Sequence, residues 1–264
     1  MRDPFLIDSP MVISFSGGRT SAYLLHRVLE ANNGLPNDAV VCFANTGKED
    51  ESTLQFVKDC QDNWGIPIRW LEYRNNEQGW ELVTFETASR NGEPFEQLIE
   101  KKKYLPNPVA RFCTAELKVL VIKKYMKSIG IDEFEQMLGI RKDEERRVAK
   151  LRENNLTPLV DVGISQHHVQ DFWSKQSFDL GLNFRNGITP LGNCDLCFLK
   201  GPNQVLSIIR SQPEKAIWWA NQEQKIGGTF RSDRPNYAEM HKFANNQTDM
   251  FSTDDESIAC FCGD

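Results

Sequence analysis

The stretch from Met11 to Ser21, Met-Val-Ile-Ser-Phe-Ser-Gly-Gly-Arg-Thr-Ser, constrains this chain more than any other. An apolar run, Met11, Val12, Ile13 and Phe15, stops at Ser16-Gly17-Gly18. A helical pattern follows, with Ala22, Tyr23, Leu24, Leu25, Val28 and Leu29 spaced for one buried face, so the loop joins a strand to the N-terminus of a helix. Such a junction suits a phosphate. Two glycines let the backbone approach an anion with no Cβ in the way, while free N–H groups and the helix dipole face the negative charge.

The sequence contains neither G-x-x-x-x-G-K-[ST] nor G-x-G-x-x-G, which sets aside the Walker loop and the dinucleotide fingerprint. Ser16-Gly17-Gly18-Arg19-Thr20-Ser21 instead resembles the pyrophosphate loop (PP-loop) of the adenine-nucleotide α-hydrolase superfamily, whose usual form is Ser-Gly-Gly-x-Asp-Ser. Thr20 stands at the aspartate position.

With 264 residues, 40% hydrophobic and 26% charged, the chain reads as one large globular domain or one domain with a smaller appendage. The expected division is a PP-loop domain over 1–200, with an insertion at about 74–110, and a helical region with a cysteine-containing tail over 201–264. A net charge of -6 argues against a surface coated for non-specific nucleic-acid binding and leaves room for a local basic patch. No apolar run approaches membrane-spanning length and no leader pattern opens the chain, so the expectation is a cytoplasmic protein without a membrane partner. Seven cysteines, an odd number, point to metal or redox chemistry rather than a disulfide framework.

Downstream, Asp38 to Phe43 reads as a second strand, followed by the polar loop Ala44-Asn45-Thr46-Gly47-Lys48-Glu49. A helix from about Glu51 to Trp64 and a third strand from Ile66 to Tyr73 continue the alternation that marks a parallel sheet covered on both faces. From Arg74 to Leu105 the periodicity fades into a polar segment with the run Lys101-Lys102-Lys103, compatible with a lid or specificity insertion. Arg111 to Lys118 then opens a helix reaching about Ser128, with Thr114 as a candidate cap and Cys113 near the N-terminus, where a thiolate is favoured. Phe134 to Ile140 reads as a fourth strand, and Arg141 at its end stands where a guanidinium reaches a phosphate. Ser165 looks like an N-cap, and His167 and His168 read as ordinary polar helix residues. Helices are expected over Val205 to Arg210 and Glu214 to Gln224, with Trp218 and Trp219 packing the second one. Cys42 and Cys60 fall inside apolar patterns and read as core.

Cys194-Asp195-Leu196-Cys197 can direct two sulfurs at one centre, and by itself is compatible with zinc, an iron–sulfur cluster or a dithiol. Cys113 is the natural third ligand. Four blocks in order, Ser16 to Ser21, Asn45 to Glu49, Arg111 to Lys118, and Pro158-Leu159 with the Ser165 helix and Cys194-x-x-Cys197, are similar to the phosphoadenosine phosphosulfate (PAPS) and adenosine phosphosulfate (APS) reductase family of the PP-loop superfamily. The resemblance implies an α/β PP-loop sandwich binding an adenine nucleotide at the C-terminal strand ends. Ser16, Gly17, Gly18, Arg19, Thr20, Ser21, Thr46 and Gly47 would surround the phosphates or sulfate, with Lys118 and Arg141 assisting and Mg2+ as a companion ion.

The same resemblance implies a [4Fe–4S] cluster on Cys113, Cys194 and Cys197. The family's tandem cysteine is replaced by Phe112, which leaves three thiolates and one open iron or a fourth ligand from the tail. Family reductases carry a nucleophilic cysteine in a C-terminal tail and are re-reduced by a thiol partner protein; Cys262 is the candidate here and Cys260 the second. Three readings follow: a PAPS reductase-like enzyme, an ATP-dependent sulfurtransferase that thiolates RNA or DNA, and a non-catalytic nucleotide-binding module with structural zinc. A homo-oligomer is compatible with all three.

Overall fold

A computed structural model describes residues 2–151, 155–183 and 189–246. Its centre is a five-stranded sheet of order β4-β3-β2-β1-β5, with β1 Met11–Ser14, β2 Ala39–Asn45, β3 Ile68–Glu72, β4 Glu81–Val83 and β5 Glu135–Leu138. Every pairing is parallel except β3 with β4. Helices α1 (Arg19–Asn32) and α2 (Glu51–Trp64) make the crossovers from β1 to β2 and from β2 to β3. The remaining helices are α3 (Glu93–Lys102), α4 (Phe112–Thr114), a π-helical turn (Ala115–Val119), α5 (Leu120–Ser128), α6 (Glu145–Leu151), α7 (Pro158–Asp161), α8 (Gln166–Trp173), α9 (Pro202–Ser211), α10 (Lys215–Ile226) and α11 (Tyr237–Asn246).

Strand alternation sorts the core into two layers. Met11, Ile13, Val41, Phe43 and Trp70 pack with Leu25 and Val28 of α1, Phe56 and Val57 of α2, and Trp173 of α8. Their neighbours Val12, Cys42 and Leu71 face the other way, against α3, the π turn, α5 and α9 to α11. This is the α/β sandwich that the apolar strands imply, since a parallel sheet buries both faces. The helices beyond residue 201 share a core with the sheet: Trp219, Phe230 and Tyr237 are buried in the same cluster as Leu71. Among the described residues no helix is long and apolar enough to cross a membrane.

Helix α2 begins and ends where its signals stand. Asp50 caps it by accepting from Ser52 N at 3.0 Å, and Gly65 closes it in the left-handed conformation. The polar segment after Arg74 differs from its expected irregular form, holding the edge strand β4 and the helix α3. Phe95, Leu98 and Ile99 of α3 are buried, while its lysines are engaged at the surface, Lys102 with Glu116 at 2.6 Å and Lys101 over the Tyr73 ring. Thr114 lies inside the helical run rather than capping it. The polar stretch after Gly228 likewise contains α11, whose apolar positions Tyr237, Met240 and Ala244 recur at helical spacing among hydrophilic residues.

An ion pair ties α10 to the start of α2. Lys215 of α10 donates to Asp50 at 2.8 Å. Burial alone would raise the Asp50 carboxyl, but the hydrogen bonds from Lys215 and Ser52 outweigh it and hold it below its usual range. A carboxylate depressed in the fold stabilises above its unfolded pKa and loses that contribution as pH falls through the folded value. Asp50→Ala should therefore lower Tm near neutral pH by about 2–4 °C, corresponding to a cap worth about 1 kcal/mol. The gap between parent and variant should close in acid, and thermal unfolding followed by circular dichroism across pH reads both effects. A gap that stays constant in acid would show that the charge on Asp50 contributes nothing.

Candidate functional site

Strand β1 pairs with β2 on one side and β5 on the other, so the strand order reverses at β1 and a crevice opens at the C-terminal ends of β1 and β5. Ser16, Gly17 and Gly18 leave β1 at that point and lead into α1. Gly17 has φ +78°, and a Cβ there would meet Thr53 Cγ2 at 2.6 Å. Gly18 is an extended N-cap without a side-chain cap, and the first turn of α1 carries no acidic residue. The helix dipole and the leading N–H groups are thus left to an anion. Ser21 Oγ holds the loop, accepting from Ser16 Oγ at 2.9 Å and donating to Gly18 O at 2.9 Å.

A cavity of about 850 Å³ opens from this loop along β5 and α5. Ser14, Ser16, Ser21, Gly139, Lys118 and Arg147 line it, together with Lys123 and Lys127. Arg147 is buried and pairs with Glu144 through Nη1, yet its Nε has no hydrogen-bond partner among the described residues. Gly139 brings the end of β5 against α1: a Cβ there would lie 2.7 Å from Ser21 Cα.

Two arginines expected around the phosphates stand differently. Arg19 turns its guanidinium away from the loop to Asp179, with Nε to Oδ1 at 2.7 Å, and to Leu182 O at 3.1 Å. Burial would raise the Asp179 carboxyl, but Arg19 and the N–H groups of Leu180 and Gly181 hold it below the ordinary range. Arg19 therefore reaches the loop through its backbone. Arg141 does not line the large cavity; its Nη1 donates to Thr20 Oγ1 at 2.9 Å, and Asp143 lies 3.3 Å from its Nε. Thr20 and Arg141 instead line a small pocket together with Ser16, Gly17, Gly18, and Gln166 and Gln170 of α8; of the loop, Ser16 and Ser21 line the large cavity. His168 of that helix accepts from Ser165 N at 3.1 Å, an ordinary capping role.

The three cysteines singled out by spacing border one narrow cavity of about 20 Å³. Thr46 and Lys118 line it with Cys113, Cys194 and Cys197, and Phe95, Leu117, Phe198, Leu199 and Trp219 form apolar walls. Cys113 belongs to the short α4, and the π turn that follows shifts the helix face by one residue. Thr114, the last residue of α4, and Lys118, within the π turn, line both the large cavity and the cysteine cavity.

The Cys194 loop is bound to the loop after β2. Glu49 and Cys194 form an antiparallel bridge, and Asp195 N donates to Lys48 O at 2.7 Å. The Lys48 ammonium meets the Asp195 carboxylate at 3.1 Å with both side chains buried. Trp219 Nε1 donates to Asp195 at 2.8 Å, and Lys200 Nζ donates to Cys194 O at 2.6 Å. Trp219 is fully buried, whereas Trp218 is half-buried and lies 5.1 Å from Lys48 Nζ. Thr46 Oγ1 stands 3.4 Å from Cys194 Sγ, and Gly47 N donates to Asn45 Oδ1 at 3.0 Å.

Among the described residues no three His, Cys, Asp or Glu are gathered to hold a metal ion. The three thiols share a cavity without closing on one point. Three cysteines are the donor chemistry of a four-iron cluster, but the cavity they border, about 20 Å³, has room for little more than one water. Cys42 and Cys60 are core residues; burial pushes the Cys42 thiol up to about 12 and raises Cys60 as well. Cys260 and Cys262 lie outside the described residues.

Sequence reasoning missed Ser14, Glu49, Lys123, Lys127, Gly139, Arg147 and Asp195. Gly139 carried a signal, a glycine at the end of a strand. Arg147 was concealed in the charged run from Arg141, which reads as a surface, and Asp195 passed as a spacer between cysteines.

The family profile described as "Phosphoadenosine phosphosulfate reductase domain" matches residues 10–158. That span holds β1 to β5 and Cys113, and ends before Cys194. An uncharacterized nin region protein of Escherichia phage lambda is 32% identical over 204 residues, covering 74% of this chain and 67% of the relative. An uncharacterized protein of Methanocaldococcus jannaschii is 26% identical over 223 residues, covering 81% of this chain and 42% of the relative.

Gly139→Ala should push β5 and α1 apart, because the added methyl meets backbone rather than a movable side chain. The expected loss is about 1–3 kcal/mol, measurable by urea unfolding. An unchanged midpoint would show that the contact is loose in solution.

Proposed function

This chain belongs to the phosphoadenosine phosphosulfate reductase family, whose PP-loop binds nucleotides, and from that premise we propose that it binds PAPS, APS or ATP and carries out thiol-dependent sulfur chemistry beside the bound nucleotide. The observation that carries this reading is the shared wall: Thr114 and Lys118 border both the large cavity at the Ser16–Ser21 loop and the cavity of the three cysteines. A nucleotide held by the loop would have its phosphates or sulfate next to the thiols.

In this reading the N–H groups at Gly17, Gly18 and the start of α1 take the anion. Ser16 and Ser21 add hydroxyl donors, Thr46 stands on the cysteine side, Gly47, which lines neither cavity, packs against Gly92 and Pro94, and Lys118 neutralises charge from across the cavity. Arg147 Nε serves the nucleotide's remaining acceptors. Arg141 acts through Thr20, fixing the loop. The base and ribose fit within the remaining volume, which lies in the range of nucleotide-sized pockets.

Cys113, Cys194 and Cys197 would hold a [4Fe–4S] cluster. Bound there, the cluster would supply a local field or an open iron site to the sulfur chemistry. With a sulfonucleotide, the thiolate of Cys262, or of Cys260, attacks sulfur. A sulfur–sulfur bond forms, the bond from sulfur to the nucleotide phosphate oxygen breaks, and the nucleotide leaves with that electron pair. A thiol reductant protein then releases sulfite, its own thiols being oxidised.

A second reading, ATP-dependent sulfur transfer to RNA or DNA, is favoured by Lys123 and Lys127 on the cavity wall, which suit a polyanionic acceptor. Substrate turnover separates the two: sulfite release from PAPS or APS supports the first, and pyrophosphate release from ATP that depends on nucleic acid supports the second.

The protein purified without oxygen should be brown and contain iron and sulfide, and a Cys194→Ala/Cys197→Ala variant should be colourless. Zinc without iron in the parent would move the weight to a structural zinc module. Calorimetric titration with ATP, APS and PAPS should detect binding that Arg147→Gln weakens about tenfold. Binding unaffected by that change would remove Arg147 from the nucleotide site.

A further inference from the structure

Two buried glutamates stand near the end of β2, and they are treated in opposite ways. Glu72 has both oxygens satisfied: Asn45 Nδ2 and Ser89 N donate to Oε1 at 2.6 Å each, Ser89 Oγ donates to Oε2 at 2.6 Å, and Arg74 pairs with Oε2 at 2.7 Å. That is the pattern of a carboxylate with a structural task, since a buried charge is tolerated when every lone pair has a partner. Glu49 is satisfied on one side only. Its Oε2 accepts from Thr46 N at 2.9 Å and from Thr46 Oγ1 at 2.8 Å. Its Oε1 has no hydrogen-bond partner among the described residues, although the side chain is 2% exposed.

The charge facing that oxygen is Lys118, whose Nζ lies 3.7 Å away. This separation is too long for a hydrogen bond yet short enough for a strong Coulombic attraction in a buried setting. Lys118, like Thr114, borders both cavities. A phosphate oxygen would offer the ammonium a shorter, charge-assisted bond than Glu49 does.

We infer that Glu49 is a positioning residue: its carboxylate parks the Lys118 ammonium at the wall between the two cavities, and a bound phosphate group draws it off. The inference rests on the nucleotide reading of the large cavity. The division of labour follows from the two oxygens. Oε2 keeps Thr46 in place, with its hydroxyl against Cys194 Sγ, while Oε1 holds Lys118 loosely enough to release it. Glu49 thereby competes with the ligand's phosphates for one cation, so removing its charge removes that competitor.

Glu49→Gln is the informative variant, because the amide oxygen can still accept from Thr46 while the charge opposite Lys118 is gone. Calorimetric titrations with ATP and with inorganic pyrophosphate, at low salt, would compare the parent, Glu49→Gln, Lys118→Ala and the double variant, with thermal unfolding confirming that each is folded. Glu49→Gln should bind both ligands about fivefold more tightly, and Lys118→Ala about tenfold more weakly. The double variant should match Lys118→Ala alone, a coupling that a purely structural Glu49 would not produce. Glu49→Asp, which keeps the charge but withdraws it from Lys118, should also tighten binding and serves if the glutamine variant does not fold. Unchanged or weaker binding by the Glu49 variants, or a gain that survives without Lys118, overturns the inference while leaving the nucleotide reading intact. A parent that binds neither ligand overturns both.

Discussion

A lysine and an aspartate, Lys48 and Asp195, meet at 3.1 Å in the interior, and they lie beside Thr46 and Cys194, which line the cysteine cavity. Each charge would be costly to bury alone. Together they are compensated by Trp219 Nε1 donating to Asp195 and by the ring of Trp218 near the ammonium. The pair joins the loop after β2 to the loop that carries Cys194 and Cys197, segments remote in sequence. With the Glu49–Cys194 bridge it makes one wall out of two loops.

That wall stands at the crevice where the strand order reverses at β1. Backbone approaches keep the crevice narrow on one side, with Gly139 against Ser21. On the other side Thr114, at the end of α4, and Lys118, in the π turn, each border two spaces at once. A regular helix turns 100° per residue, and one extra residue in a turn re-aims all that follows. The cation therefore stands between the large cavity at the start of α1 and a thiol pocket.

Local features were legible in the sequence, and tertiary ones were not. The loop from Ser16 to Ser21 announced itself because strand, turn and helix are adjacent in the chain. Helix α2 was readable from end to end because Asp50 and Gly65 are strong boundary signals. Helices α3 and α11 were hidden, their apolar residues sparse among charges and their stability drawn from the core they join. The same holds for single residues. Glu49 and Arg147 look like solvent-facing charges until the fold buries them, and the Arg19 guanidinium looked like a phosphate ligand until Asp179, 160 residues away, took it. The grouping of Cys113 with Cys194 and Cys197 was inferable from donor chemistry, yet only the packing of the Lys48 loop explains why they face one cavity.

Thr20 makes the loop's electrostatics intelligible. The usual PP-loop pattern has an aspartate at this position. Here the hydroxyl accepts from Arg141, which already has Asp143 and Glu144 as acidic neighbours. A carboxylate at residue 20 would add a third negative charge around one guanidinium, within the first turn of a helix whose start is otherwise free of acid. Nearby phosphate would be repelled by that charge and gain nothing from an arginine already neutralised. Threonine keeps the hydrogen bond that fixes Arg141 while leaving the helix start positive. Under the proposed nucleotide reading, the backbone N–H groups then act with Ser16, Ser21, Arg147 and the lysine that also borders the thiols.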